Sequence, residues 1–566
     1  MTRSTTRSVR RSPAMRSGAL ALVAATLLSL AACASIPGSG PVHAGLSDLQ
    51  QAERLVQFTP AGPAKGATQE QLVRGFLTAS QSSLNDYAVA REFLATGYAT
   101  QWDPYYSVLV SDGSKPYRGD SDTAGVLSVP LVGSVDGMGR LSPVAAGGST
   151  DFRFEFTKEG EEWRISAAPT GIILDREIFV QIWASHQLYF LGAGGRLVPE
   201  TRWFLSRTQL ATEIVNSLIK GPSDVLAEVV HSGFPQGVKL ASNSVPVVDG
   251  RARVDLTGDG LGVPKAQQEI LAQLRASLPT VTGVNRVELF IDGAAVREAP
   301  EAPPTQGPVN ARQVAGIIGT EFGIISGDKV EPVPGVSERL SMLSVLSMSL
   351  ARTNAVAAVR TPDGVSIVSN GIVMPIDPRT GLIEPSVDDD LWTWTLSGSA
   401  TNTVRVTDIN GVRLELQAPW LAGTSVKALR VSPGGSLLAA LVSDGERTAV
   451  LVGGVLRDEE GAPTGLTDEA SVEALLSGTG VDLDWVDQLR FVVLTRSGSA
   501  SRVAIGGPGL FLSDMGSLSS DAVQITGGGS RTGIRVLNSL GELYSPQGGS
   551  GWNRVGKSVL VLAKRG

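Results

Sequence analysis

Helical and strand periods alternate along the chain in three blocks. From Thr68 the segment TQEQLVRGFL places Leu72, Val73, Phe76 and Leu77 on one helical face, opened by Thr68 and Gln71 as a capping box. A second helix is predicted from about Asp86, with Val89, Phe93 and Leu94 apolar. Beyond Trp102-Asp103-Pro104 the period falls to two. In DFRFEF the phenylalanines 152, 154 and 156 alternate with charged residues, as a strand with one wet face requires. Two helices followed by an antiparallel sheet predict a small α+β domain over 67–173, of the cone-shaped nuclear-transport-factor-like kind.

The next block, 174–299, is also α+β but ordered differently. EIFVQIWASHQLYFL and RLVPETRWF read as strands, and a helix follows with Leu210, Ile214 and Leu218 in line. Gly221-Pro222 ends it, a C-cap glycine followed by a residue that cannot continue the helix. VPVVDGRARVDL predicts a hairpin turning at Asp249-Gly250, and Pro264 opens a further helix that turns Ile270, Leu271 and Leu274 inward. VNRVELFIDG closes a β-β-α-β-β-α-β order.

After a linker over 300–319, residues 320–566 show a longer period. LARTNAVAAVRTPDG and VSPGGSLLAALVSDG align without a gap, each with a polar turn, an apolar run and Asp-Gly. Taking Gly327, Gly364, Gly411, Gly445, Gly498 and Gly541 as equivalent turns gives a mean repeat of about 43 residues, that of a four-stranded propeller blade. The block therefore predicts an all-β propeller of about six blades, with the terminal VLVLAK completing the first. An irregular β-sandwich is the competing reading, since no Trp-Asp signature recurs.

The N-terminus changes the picture of where this chain works. Five arginines (3, 7, 10, 11 and 16) and no acid precede the apolar run Gly18 to Leu30, which is too short to span a bilayer and reads as the core of an export signal over 1–32. Leu30-Ala31-Ala32-Cys33 resembles the lipobox of bacterial lipoproteins, which implies cleavage before Cys33 and its diacylation. Cys33 is the only cysteine. Residues 33–66, rich in Gly, Pro and Ala, read as a tether. Loss of the five arginines takes the net charge from −7 to −12, which argues against nucleic acid as a partner.

Candidate chemistry is sparse. GWNRVGKS at 551–558 satisfies the phosphate-loop pattern, but an apolar strand-like run rather than a helix follows it, so no nucleotide site is expected and Lys557 reads as a loop residue. His43, His186 and His231 lie in no metal or triad motif, and His186 is read as a strand-surface or packed residue. Asp255 to Gly260 begins like a calcium loop, yet Ala266 stands where a bidentate glutamate is needed. Asp388-Asp389-Asp390 could bind a cation and reads better as a solvated turn. Trp392 and Trp394 read as blade packing. No cofactor, metal or catalytic residue is assigned, which leaves lipidation of Cys33 as the one site.

The succession YFL…GRLVPETR…LIKGPS…FPQGVKL…VDL…VNRVELFIDG resembles the GerMN domain first described in spore-germination proteins. Behind a lipobox and before a propeller, it resembles the LpqB family of actinobacterial lipoproteins over essentially the whole mature chain. The resemblance implies a lipid-anchored protein on the outer face of the cell membrane that serves as an accessory to the extracytoplasmic sensor domain of the MtrB histidine kinase, in a two-component system tuning wall metabolism and division. The alternative is an envelope enzyme or glycan-binding protein acting on peptidoglycan, with Glu288 and Asp292 sharing a strand face as acid and base. A transporter's solute-binding lipoprotein would need alternating βαβ lobes, which this chain lacks.

Overall fold

The computed structural model describes residues 59–565 apart from 145–147, 207–208, 298–304, 307–312, 328, 400–401 and 444–446. The export signal and Cys33 lie outside the described residues.

The first module opens with helix α1 (Gln69–Ala79). Thr68 accepts from the Gln71 backbone while the Gln71 side chain reaches back to the Thr68 N–H, the reciprocal cap predicted. Leu72, Val73 and Phe76 are buried, and Phe76 meets Trp102 at 5.1 Å and Phe154 at 6.5 Å between ring centres. The second helix expected from Asp86 is only one turn, Ala88–Arg91. Asn85, Asp86 and Tyr87 all take left-handed φ of 49 to 58° ahead of it, which throws the Tyr87 ring onto Trp102 instead of extending the helix. Strands β1 (Ser107–Ser111), β2 (Tyr117–Ser121), β3 (Ala124–Val129), β4 (Leu131–Asp136), β5 (Leu141–Pro143), β6 (Thr150–Glu159), β7 (Glu162–Ala167) and β8 (Ile172–Asp175) follow. They form two four-stranded sheets, β5-β4-β1-β8 and β2-β3-β6-β7, rather than one, and β1 pairs with β8 in parallel.

The second module begins with a correction. The first half of the segment expected as a strand is helix α2 (Arg176–Ile182), because Phe179 must turn into the core of the first module. Strand β9 (Trp183–Leu191) then pairs antiparallel with β10 (Arg196–Leu205). Helix α3 (Leu210–Lys220) buries Ile214 and Leu218 and stops at Gly221, whose φ of 97° a side chain would disfavour. Beyond it come β11 (Lys239–Leu240), β12 (Val247–Val248), β13 (Arg251–Thr257), helix α4 (Pro264–Ser277), β14 (Arg286–Ile291) and β15 (Ala294–Ala295). Asp249 and Gly250 make the predicted hairpin turn with φ of 50° and 74°. The parallel pair β13–β14 is joined through α4.

Two parts of the segment expected as linker are strands. Thr305–Gln306 (β16) adds to β10 in parallel, and Ala315–Ile318 already belongs to the propeller. Its four apolar residues are too few to show a period in sequence.

Among the described residues the propeller has six four-stranded blades. Five run in order over 347–377, 386–417, 425–476, 479–518 and 522–556, and the sixth joins the strands of 315–331 to the terminal strand Val559–Arg565. Ala315 pairs with Ala563 and Ile317 with Val561, so the C-terminus closes the ring as predicted. The glycine register is corrected. Gly498 and Gly541 lie between the second and third strands of their blades and Gly364 opens the third strand of its own, whereas Gly327 and Gly411 lie between the third and fourth; Gly445 is outside the described residues. Hairpins of both kinds carry glycine, so sequence spacing alone cannot separate them.

Ending the chain after Ser558 removes the inner strand of the sixth blade, including Leu562, which is fully buried. Thermal melting followed by near-UV circular dichroism is expected to show loss of the propeller transition, whereas removal of Arg565 and Gly566 alone leaves it in place.

Candidate functional site

Strand β10 is the meeting point of all three modules. Nine of its ten residues are buried, including Glu200, Thr201, Arg202 and Trp203. On one side Arg202 Nη2 donates to Glu200 Oε2 at 2.8 Å and to the Gly221 carbonyl at 2.9 Å, with its guanidinium over the Phe190 ring. On the other side Trp203 packs on Phe179 (4.9 Å) and on Phe511 of the fourth blade (5.7 Å), and its Nε1 donates to the Gly509 carbonyl at 2.9 Å. Its backbone N–H bonds Gly139 of the first module at 2.7 Å. Gly509 has to be glycine here: its φ is 72°, and a Cβ would stand 2.9 Å from the Thr201 carbonyl.

One apolar core runs through this junction. Leu188, Phe190 and Ile214 of the second module share it with Leu437, Val452 and Trp485 of the third and fourth blades. Around it, arginine–carboxylate contacts cross between modules. Arg140 of the first module reaches Glu473 of the third blade at 2.7 Å, and its other nitrogen reaches Ser223 of the second at 3.3 Å. Ser471 and the Gly509 N–H fill the rest of Glu473.

The acidic run at 388–390 is corrected by the same geometry: it is neither a solvated turn nor a cation site. Asp388 is buried and takes Arg457 Nη2 at 2.6 Å and Trp394 Nε1 at 3.0 Å; Asp389 takes Arg352 at 2.9 Å; Asp390 takes Arg196 of β10 at 2.7 Å and Arg457 at 3.2 Å. Three of these four donors stand far away in sequence or in another module, which is why the run alone gave no sign of them. Trp394 is core, as expected, with Trp392 packed against it.

The other sequence candidates disperse. Asp292 sits past the end of β14 in a left-handed turn (φ 47°), so Glu288 and Asp292 share no strand face. Asp255 Oδ1 accepts from the Gly293 N–H at 3.0 Å, an ordinary turn contact. Residues 551–556 form the outer strand of the fifth blade, and a strand, not a helix, follows Lys557. His186 is packed, with Nδ1 3.2 Å from Thr280 Oγ1, and burial pushes its pKa down. It stands at the edge of a cleft of about 550 Å³ between β9 and the propeller, invisible in sequence because its walls come from two distant segments, 185–201 and 487–529.

Fold and junction define a multidomain, mostly β protein, in which two α+β modules pack against a six-bladed propeller. Three family models match in tandem: "Lipoprotein LpqB, N-terminal domain" over 62–180, "Sporulation and spore germination" over 187–297 and "Lipoprotein LpqB beta-propeller domain" over 324–560. The chain belongs to the LpqB lipoprotein family. It is similar to Lipoprotein LpqB of Cutibacterium acnes, 24% identical over 97% of this chain and 99% of that one. It is also similar to those of Bifidobacterium longum (26%, 80% and 81%) and Rhodococcus opacus (34%, 44% and 42%). Among solved structures, the tandem GerMN domains of the sporulation protein GerM from Bacillus subtilis are 25% identical, with a TM-score of 0.18, over 22% of this chain and 45% of that one.

Two outcomes follow. Trp203→Ala is expected to cost about 3–5 kcal/mol, read as a lowered Tm together with faster proteolysis between the modules. Burial raises the Glu473 carboxyl above its usual range even opposite Arg140, and burial moves Asp388 and Asp484 the same way. The folded state therefore binds these protons more tightly than the unfolded chain. Each of these carboxyls therefore contributes stability that is lost as pH rises through its raised value, and Glu473→Gln is expected to flatten the dependence of Tm on pH relative to wild type.

Proposed function

We propose that this chain is a membrane-anchored binding protein, not an enzyme, which holds its modules as one body outside the cell membrane and presents them to the extracytoplasmic sensor domain of the MtrB histidine kinase. The observation that carries this reading is the common core and its arginine contacts across β10. They give a partner a surface of fixed relative geometry. Membership of a lipoprotein family supports the anchoring, and Cys33 behind its lipobox-like run is the residue to carry the lipid once residues 1–32 are removed. Among the described residues no helix is long and apolar enough to cross a membrane, so this reading places attachment on acyl chains, two of which suffice for stable anchoring.

The partner reading rests on family membership together with this rigid geometry. The peptidoglycan-enzyme alternative loses the support of its carboxylate pair, since Glu288 and Asp292 are not brought together.

Cys33→Ala is expected to block palmitate labelling and to move the protein from the membrane to the soluble fraction. Cross-linking in intact cells is expected to join the wild-type protein to the kinase and to lose at least tenfold of that product in the variant. Wild-type protein that labels and fractionates with the membrane but yields no kinase cross-link would refute the partnership while leaving the anchor intact.

A further inference from the structure

The sheet of the second module has one covered face and one open face. Ala252, Val254 and Leu256 of β13 and Val287 and Leu289 of β14 turn inward and share a core with Ile214 of α3 and with Ile270 and Leu274 of α4. The residues between them project the other way, since side chains alternate along a strand. Register sets these outward residues side by side: Arg251 beside Arg286, Arg253 beside Glu288, and Asp255 beside Phe290. The edge strands extend the set. Lys239 of β11 stands opposite Thr257, and Val248 of β12 opposite Arg251. On the other edge the Val296 N–H donates to the Leu289 carbonyl at 2.9 Å, which continues the β14–β15 pairing and brings Arg297 beside Glu288.

Five cations and two carboxylates therefore share this face, in a chain that is acidic as a whole, with a net charge of −7. The cations are exposed and loosely met. Arg251 stands 3.9 Å from both Asp249 and Glu288, and Arg253 3.7 Å from Asp255. Arg286, Arg297 and Lys239 have no ion-pair partner among the described residues. Like charges at neighbouring register positions repel, and the core on the opposite face holds Arg251 and Arg286 together with that repulsion unrelieved. The Arg253 guanidinium lies over Phe290, 4.0 Å from the ring centre, which keeps it down on the sheet.

We propose that this face is the docking surface for an acidic segment of a partner protein, whose carboxylates are taken by Arg251, Arg286 and Arg297. Charge complementarity carries the assignment. A carboxylate between Arg251 and Arg286 removes a repulsion as well as forming charge-assisted bonds, and the guanidinium fork matches carboxylate geometry. A lipid surface fits less well, because Asp255 and Glu288 would be pressed against its phosphates. The exposed apolar residues here are the short edge strand Val247–Val248, too little to seat the face in a bilayer. A uniform polyanion meets the same two carboxylates. The proposal deepens the binding-protein reading and rests on it for there being a protein partner, whichever protein that is.

The test uses the full-length, detergent-solubilised protein and the fluorescence anisotropy of a labelled peptide of alternating glutamate and threonine, about eight residues long. The peptide is expected to bind, and to bind at least about fivefold more weakly when salt is raised from about 50 to about 500 mM, as exposed charges are screened. Arg251→Glu combined with Arg286→Glu is expected to lower the affinity at least about tenfold. Lys65→Glu combined with Lys557→Glu makes the same change of net charge at exposed positions elsewhere and is expected to leave binding unaltered. Arg286→Glu alone places a carboxylate beside Arg251, so Tm is expected to hold or rise while binding falls. The proposal is overturned if the peptide does not bind at about 1 mM in low salt, or if the two double variants weaken it equally. It is overturned too if the face instead takes phosphatidylglycerol vesicles, polyphosphate or a second copy of this chain. Absence of a kinase cross-link would not touch the peptide result, and failure of the peptide would not touch the cross-link, so the two readings fail separately.

Discussion

A strand can bury both faces while carrying a glutamate and an arginine only if each charge is met inside the protein, and β10 works under that constraint. Its backbone is paired by β9 and, at one end, by β16. Glu200 and Arg202 answer each other, and Trp203 spends its indole N–H on the propeller. Removing any one partner would strand a polar group in a dry environment, where the penalty is several times the value of an exposed pair. The apolar residues around it belong to cores shared between modules, so separating the modules would break these contacts together. Interfaces between domains of one chain ordinarily allow relative motion. Here a continuous core and buried ion pairs work against it.

This explains why the family boundaries and the physical boundaries differ. Three models divide the chain into an N-terminal domain, a germination-type domain and a propeller. The packing does not respect those divisions: Phe179 and Trp203 join the core of the first module, and Phe511 of the propeller packs against it. Evolutionary units can be exchanged as segments while their stability is shared, and the third and fourth blades carry most of that sharing here.

Local chemistry was legible in the sequence. The Thr68–Gln71 cap, the stop at Gly221, the Asp249-Gly250 hairpin and Pro264 at a helix start each depend on a few adjacent residues, and each was read correctly. The ring-closing role of the last strand followed from the repeat. What could not be read was anything set by distant partners. Asp388 to Asp390 look like a wet acidic turn until Arg196, Arg352 and Arg457 are brought to them. The segment at 176–182 looks like a strand until Phe179 finds its core. The cleft beside His186 exists only after β9 has met the loop at 487–490, so neither half announces it.

The pairing of Ala315 with Ala563 sets an order of events during synthesis. Because the two halves of the sixth blade are made at opposite ends of the propeller segment, the first half must wait with an open edge while every other blade is assembled. Both α+β modules precede it and can collapse first, leaving the ring to shut only when the last residues have been delivered. Unpaired strand edges recruit neighbouring chains, so the interval before closure is when this protein is most exposed to aggregation and when a chaperone would matter most.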